Sequence, residues 1–154
     1  MKMKWEETKN KNVSLYQARV ADLENSLAQE LWLKFFTLLE NCSSDLWNAI
    51  KVEIWADSGR VIIFPGVADK VDRDEDFCLE FYVESLFDFF ECVSDSDIDD
   101  DEFDNQVKSR VSSVTEQLNN ALQDSQKSNL FTKPNRQFNV IYTDGEEVVF
   151  RTNI

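Results

Sequence analysis

The 154-residue chain contains no histidine. That removes the commonest general base near neutral pH and the commonest metal ligand together. Nucleophile arrangements built on Ser–His or Cys–His pairs are excluded with it. Glycine is nearly as scarce, with three isolated residues at Gly59, Gly66 and Gly145, so no glycine-rich loop can cradle a phosphate. Proline occurs twice, and no apolar run approaches the roughly 18 residues that a membrane span requires. The three cysteines, Cys42, Cys78 and Cys92, lie 36 and 14 residues apart, a spacing that suits no zinc site. They fit a reduced compartment in which each thiol serves as a small core residue, and a cytoplasmic location is expected. Met1-Lys2-Met3-Lys4 leads into no apolar core, so no signal peptide is expected either. Together these absences predict a protein that is not an enzyme and needs no metal or cofactor.

What the chain has in abundance is acid. Residues Asp69 to Asp104 hold sixteen Asp and Glu against two bases, Lys70 and Arg73, a local charge of −14. The whole chain also carries −14, so the other 118 residues balance to zero. Solubility does not require such clustering, and self-repulsion penalises it. A surface of this kind repels nucleic acid and anionic membranes and attracts basic proteins. Asp95-x-Asp97-x-Asp99 opens like a calcium loop, but the sixth position is Asp100 where glycine is needed and the twelfth is Gln106 where a bidentate glutamate is needed. Starting at Asp97 puts Glu102 and Lys108 in those places, and that register fails too.

A 42% hydrophobic fraction with 12 Phe and 4 Trp is that of a folded chain, and one domain over 1–154 is expected. Residues 1–13 read as a frayed, polar lead-in. Tyr16, Val20, Leu23, Leu27, Leu31, Phe35 and Leu38 recur at steps of three and four, which predicts a helix from Ser14 to about Asn41 with a possible new N-cap at Asn25 or Ser26. Ile50, Val52 and Ile54 alternate with charged residues, Asp57-Ser58-Gly59 turns the chain, and Arg60–Phe64 returns it. Phe77, Leu79, Phe81 and Val83 predict a third strand. Leu86, Phe89, Phe90 and Val93 predict a short helix capped by Ser85. An acidic loop over 94–102 then leads to a long helix with the stripe Phe103, Val107, Val111, Val114, Leu118 and Leu122. A hairpin about Thr143-Asp144-Gly145 closes the pattern, and its turn chemistry resembles that of the first hairpin. The expected fold is α+β, an antiparallel sheet of about five strands covered on one face by helices.

The acidic segment supplies the candidate binding residues: Asp88, Glu91, Asp95, Asp97, Asp99, Asp100, Asp101, Glu102 and Asp104. Part of it has a structural reason, because acids favour a helix N-terminus by about 0.3–1 kcal/mol each. Phe87 joins the candidates, since Leu86, Phe89 and Phe90 bury one side of the short helix and turn Phe87 towards Glu84, Asp88 and Glu91. An aromatic within a charged rim is the composition of an interface anchor. The alternative, that Phe87 widens the buried stripe, stays open.

The run from Trp47 through Asp57-Ser58-Gly59 to Phe64, then a strand, the Leu86-Phe87-x-Phe89-Phe90 helix and a closing hairpin, resembles in order one group of immunity proteins that bacteria pair with secreted polymorphic toxins. The resemblance implies a protein that binds its cognate toxin and blocks it, often a nuclease with a basic cleft. It does not extend to the acids at 94–104 and assigns no interface residue. Two other readings fit the same charge. One is a nucleic-acid mimic that occupies the binding groove of a host enzyme. The other is an adaptor that takes a peptide in an apolar groove and uses its acids for solubility.

Overall fold

Alternating apolar residues at 50–54 and 61–63 build the centre of the molecule. In a computed structural model, residues 4–10, 13–40, 47–67, 77–127 and 137–154 are described. Their elements run β1 (Glu6–Asn10), β2 (Val13–Val20), α1 (Asn25–Glu40), β3 (Ala49–Trp55), β4 (Arg60–Gly66), β5 (Phe77–Val83), α2 (Glu84–Ser94), α3 (Asp100–Gln126), β6 (Asn139–Asp144) and β7 (Glu147–Asn153). The strands form one sheet in the order β1-β2-β5-β4-β3-β6-β7. The α+β class matches expectation, but the sheet has seven strands and is mixed. β2 pairs parallel with β5 and β3 parallel with β6, while the remaining neighbours are antiparallel.

Two corrections to the sequence reading explain the difference. Residues 6–10 are a strand rather than a frayed lead-in, and Val13–Val20 is a strand rather than the first turns of a helix. Tyr16 and Val20 satisfy a helical step of four, but Tyr16, Ala18 and Val20 also alternate, and the sheet uses that alternation to turn them towards the helices. The helix begins only at Asn25, where a break was foreseen. The parallel pairs arise because α1 carries the chain from β2 past β5 and β4 to β3, and α2 with α3 carries it from β5 past β4 and β3 to β6. Hairpin signals alone do not reveal such crossovers.

Both long helices lie on one face of the sheet. Leu31, Trp32 and Phe35 of α1 and Leu118, Ala121 and Leu122 of α3 are fully buried against Ile50, Val52, Ile54, Val61, Ile63, Leu79, Phe81 and Val140. The helices run antiparallel: Asn25 Nδ2 donates to Asp124 Oδ2 at 3.2 Å and the Trp32 indole N–H donates to the Leu118 carbonyl at 2.9 Å. The opposite face holds a smaller cluster of Ile62, Phe64 and Cys78 with Trp55 against it, and no helix residue takes part. Glu80 is also on that face and is 1% exposed. It accepts from Gln17 Nε2 at 3.0 Å and Arg60 Nε at 2.8 Å, and Arg60 Nη2 approaches to 2.6 Å. A hydrogen bond to Glu80, then burial and the charge of Glu80, hold the neighbouring Tyr82 hydroxyl above its ordinary pKa.

The β3–β4 turn requires its glycine. Gly59 has φ +70°, and a Cβ there would stand 2.5 Å from the Val83 carbonyl oxygen. Its own carbonyl accepts from Val83 N–H at 2.8 Å, which seats the turn on the junction of β5 and α2. Ser85 does not cap α2 as expected. Val83 occupies that position without a side-chain bond, and the Ser85 hydroxyl donates to Asp22 Oδ1 at 3.0 Å. Cys78 is buried but Cys92 is exposed on α2, so Cys92 is not the core thiol expected. Cys42 lies outside the described residues. Among the described residues, no helix is long and apolar enough to cross a membrane.

Candidate functional site: an acidic end of the sheet

Parallel pairing decides where the acids go. β2, β3, β5 and β6 all point the same way, so the segments that leave their C-terminal ends share one end of the sheet. Asp22 follows β2, Asp57 sits in the β3–β4 turn, Glu84 follows β5, and Asp144, Glu146 and Glu147 form the β6–β7 turn. α2 departs from this end. The first third of α3 packs back on it, with Phe103 edge-on to Phe90 at 5.5 Å and the Arg110 guanidinium 5.2 Å over the Phe89 ring. The start of α2 therefore lies beside the β3–β4 turn, with Phe87 against Gly59, and Lys108 of α3 lies near Asp144 of the β6–β7 turn. Burial, and then the charge of Glu147, hold the Asp144 carboxyl above its ordinary pKa, against the pull of Lys108.

The structure brings most of the predicted residues together and shows what separates them. Asp88 and Glu91 are exposed on α2. Asp95 ends that helix, its N–H bonded to the Glu91 and Val93 carbonyls. Asp97 lies in the short link. Asp99 is the N-cap of α3 and accepts from Glu102 N–H at 2.8 Å. Asp100, Asp101 and Glu102 form the first turn of the helix, so the expected loop over 94–102 is already helical from residue 100. Asp104 follows in the next turn. All nine are exposed, and none forms an ion pair among the described residues. Their charge is left for solvent or for a partner. Asp69, Asp72, Asp74, Glu75 and Asp76, the other part of the run, lie outside the described residues.

Between α2 and α3 a surface cleft of about 370 Å³ is lined by Phe89, Glu102, Asn105, Gln106 and Ser109. Gln106 Nε2 donates to Glu102 Oε1 at 3.1 Å and holds that wall in place. A carboxylate, two amides and an aromatic ring line the cleft, and the Arg110 guanidinium over the Phe89 ring already places a cation beside them. The sequence reading did not single out Asn105, Gln106 and Ser109. Their signal was present, because residues 102, 105, 106 and 109 recur at i, i+3, i+4 and i+7 and so share one flank of a helix. Phe87 is 40% exposed, with its Cβ beside Gly59. Two residues on, at about 100° each, Phe89 is turned about 200° away, so the anchor and the cleft face different sides of α2. No group of three or more His, Cys, Asp or Glu side chains among the described residues is arranged to hold a metal ion.

The cap and the free acids differ in a way that unfolding measurements can separate. Asp99→Ala leaves the Glu102 N–H without its acceptor and is expected to lower stability by about 1 kcal/mol. Asp97→Ala, which breaks no hydrogen bond and relieves repulsion, is expected to change it by less than about 0.5 kcal/mol in either direction. Equal losses in urea titrations of the two variants would show that Asp99 is not a cap. Comparison of the chain with known protein families, characterised proteins and solved structures finds no match.

Proposed function

We propose that the protein is an immunity protein, one that binds a cognate toxin and neutralises it by covering a basic cleft, in the manner of a nuclease inhibitor. The observation that carries this reading is the set of nine exposed carboxylates on α2, the start of α3 and their link, none with an ion-pair partner among the described residues. Phe87 is the anchor and the acids are the rim. Exposed charges at such a rim steer encounter, over about a Debye length of roughly 10 Å at 0.1 M salt, more than they hold the finished complex. A nucleic-acid mimic needs carboxylates spread along several faces, whereas the net charge here belongs to one segment of the chain.

The test begins with the neighbouring genes: a toxin reading frame beside the gene for this protein supplies the partner for a kinetic assay, and its absence counts against the proposal. Reversal of Asp88, Glu91, Asp97 and Asp104 to lysine spares the Asp99 cap and the first turn of α3. It is expected to slow association by an order of magnitude or more at low salt. Phe87→Ala is expected to act mainly on dissociation, speeding it at least about tenfold. Binding that is indifferent to both changes, or the absence of protection when toxin and inhibitor are expressed together, would refute the proposal.

A further inference from the structure

The two edges of the sheet are finished differently. β1, at one edge, is the five-residue Glu-Glu-Thr-Lys-Asn, short and charged, the usual guard against unwanted pairing. β7, at the other, exposes Val148, Val149 and Phe150 in a row, each more than 40% accessible. A bulge lies in the middle of this stretch. Tyr142 pairs with Phe150 while Thr143 pairs with Val148, so Val149 is an extra residue. Because of it, two consecutive side chains, Val149 and Phe150, form one wall of a groove. The other wall is α3, with Ser112, Thr115, Glu116 and Asn119, and the groove holds about 270 Å³. Among the described residues, the Oδ1 of Asn119, which lines the groove, and the fully buried Tyr142 hydroxyl have no hydrogen-bond partner. The Tyr142 ring lies 5.8 Å from that of Phe150.

We propose that this groove receives an extended segment of a basic protein, laid along β7 with an apolar side chain between Phe150 and α3 and a lysine or arginine beside Glu116. Two features select that occupant. Among the described residues no strand pairs with the outer edge of β7, and such an edge offers backbone groups to a strand and to little else. Among the described residues that line the groove the charged one is Glu116 of α3, and Glu147 stands at the start of β7. Arg151, next along β7, pairs with Ile141, whose side chain lies on the opposite face of the sheet from Tyr142. A second copy of this chain is disfavoured, since two molecules of charge −14 repel each other at any shared edge. This inference is independent of the acidic end, and either can fail alone.

The probe is a capped peptide that alternates valine with threonine and lysine, titrated into the isotope-labelled full chain. The lysine peptide is expected to shift the amide signals of Val148–Thr152 and of Ser112–Asn119. Its glutamate counterpart is expected to leave them in place. Phe150→Ser, or Val149→Ser should the first variant lose its native signal dispersion, is expected to weaken binding at least about tenfold. Glu116→Lys is expected to reverse the preference between the two peptides. No shift at millimolar lysine peptide, or equal response to both peptides, overturns the proposal. Sedimentation that shows a dimer at high salt, lost in Phe150→Ser, assigns the edge to a second copy and overturns it as well.

Discussion

Replacing Trp32 by alanine is expected to lower the stability of the protein by about 3–5 kcal/mol, a large part of what a domain of this size possesses. Trp32 is fully buried at the centre of α1. Its ring stacks on Phe36 with centroids 6.0 Å apart and meets Phe35 edge-on at 6.2 Å. Its N–H crosses to the carbonyl of Leu118, so the same side chain fills the core and joins the two long helices. Trp32→Phe separates these contributions. It keeps most of the packing and removes the hydrogen bond, at an expected cost of about 1–2 kcal/mol. Urea unfolding followed by circular dichroism reads both changes. A loss below about 1 kcal/mol for the alanine variant would mean that α1 and α3 do not depend on this residue for their packing.

The second large effect is expected on the other face of the sheet. Arg60→Met leaves the Glu80 carboxylate buried with the neutral donors Gln17 and Tyr82 but no counter-ion, and a buried charge deprived of its counter-ion costs about 3–5 kcal/mol. The Arg60 side chain is about a third exposed, so water can partly replace it and the lower end of that range is expected. The double variant Arg60→Met/Glu80→Met removes both charges and puts apolar atoms beside Ile62, Phe64 and Cys78. Its stability is expected to lie within about 1 kcal/mol of the parent. A strong coupling energy in this double-mutant cycle is the signature of a buried pair, and additive losses would reduce Arg60 to a surface residue.

Much of the architecture could be read from local pattern. The β3–β4 and β6–β7 hairpins, β5, α2 and the stripe of α3 follow from alternation, from helical spacing and from glycines that both take positive φ in their turns. What escaped was long-range. Tyr16 and Val20 fit both periods, and only the partner strand β5, sixty-three residues on from Ser14 to Phe77, decides between them. Glu80 looked like the solvent side of a half-exposed strand. It is buried because Arg60 and Gln17, on two neighbouring strands, close over it. The acids at 88–104 were evident as a run. That the turns holding Asp57 and Asp144 share the end from which α2 departs was not, since it depends on β3 and β6 lying parallel. Phe150 belonged to a predicted strand, but the bulge that turns Val149 to its side left no mark in the alternation.

The strand order also governs how the chain reaches its native state. Val61 and Phe81 meet across 20 residues, whereas Ala49 and Asn139 meet across 90. Closing the longer loop costs about 1.3 kcal/mol more in chain entropy. The β3–β4–β5 meander is therefore the natural nucleus, with the flanking hairpins added afterwards. During synthesis, β3 must wait with one edge unpaired until residues 139–144 have left the ribosome. For that interval a strand carrying Ile50, Val52 and Ile54 is open to any neighbouring chain. The acids between residues 69 and 104 emerge well before the missing strand does. Mutual repulsion between nascent chains is then expected to disfavour pairing at that open edge before the protein has folded.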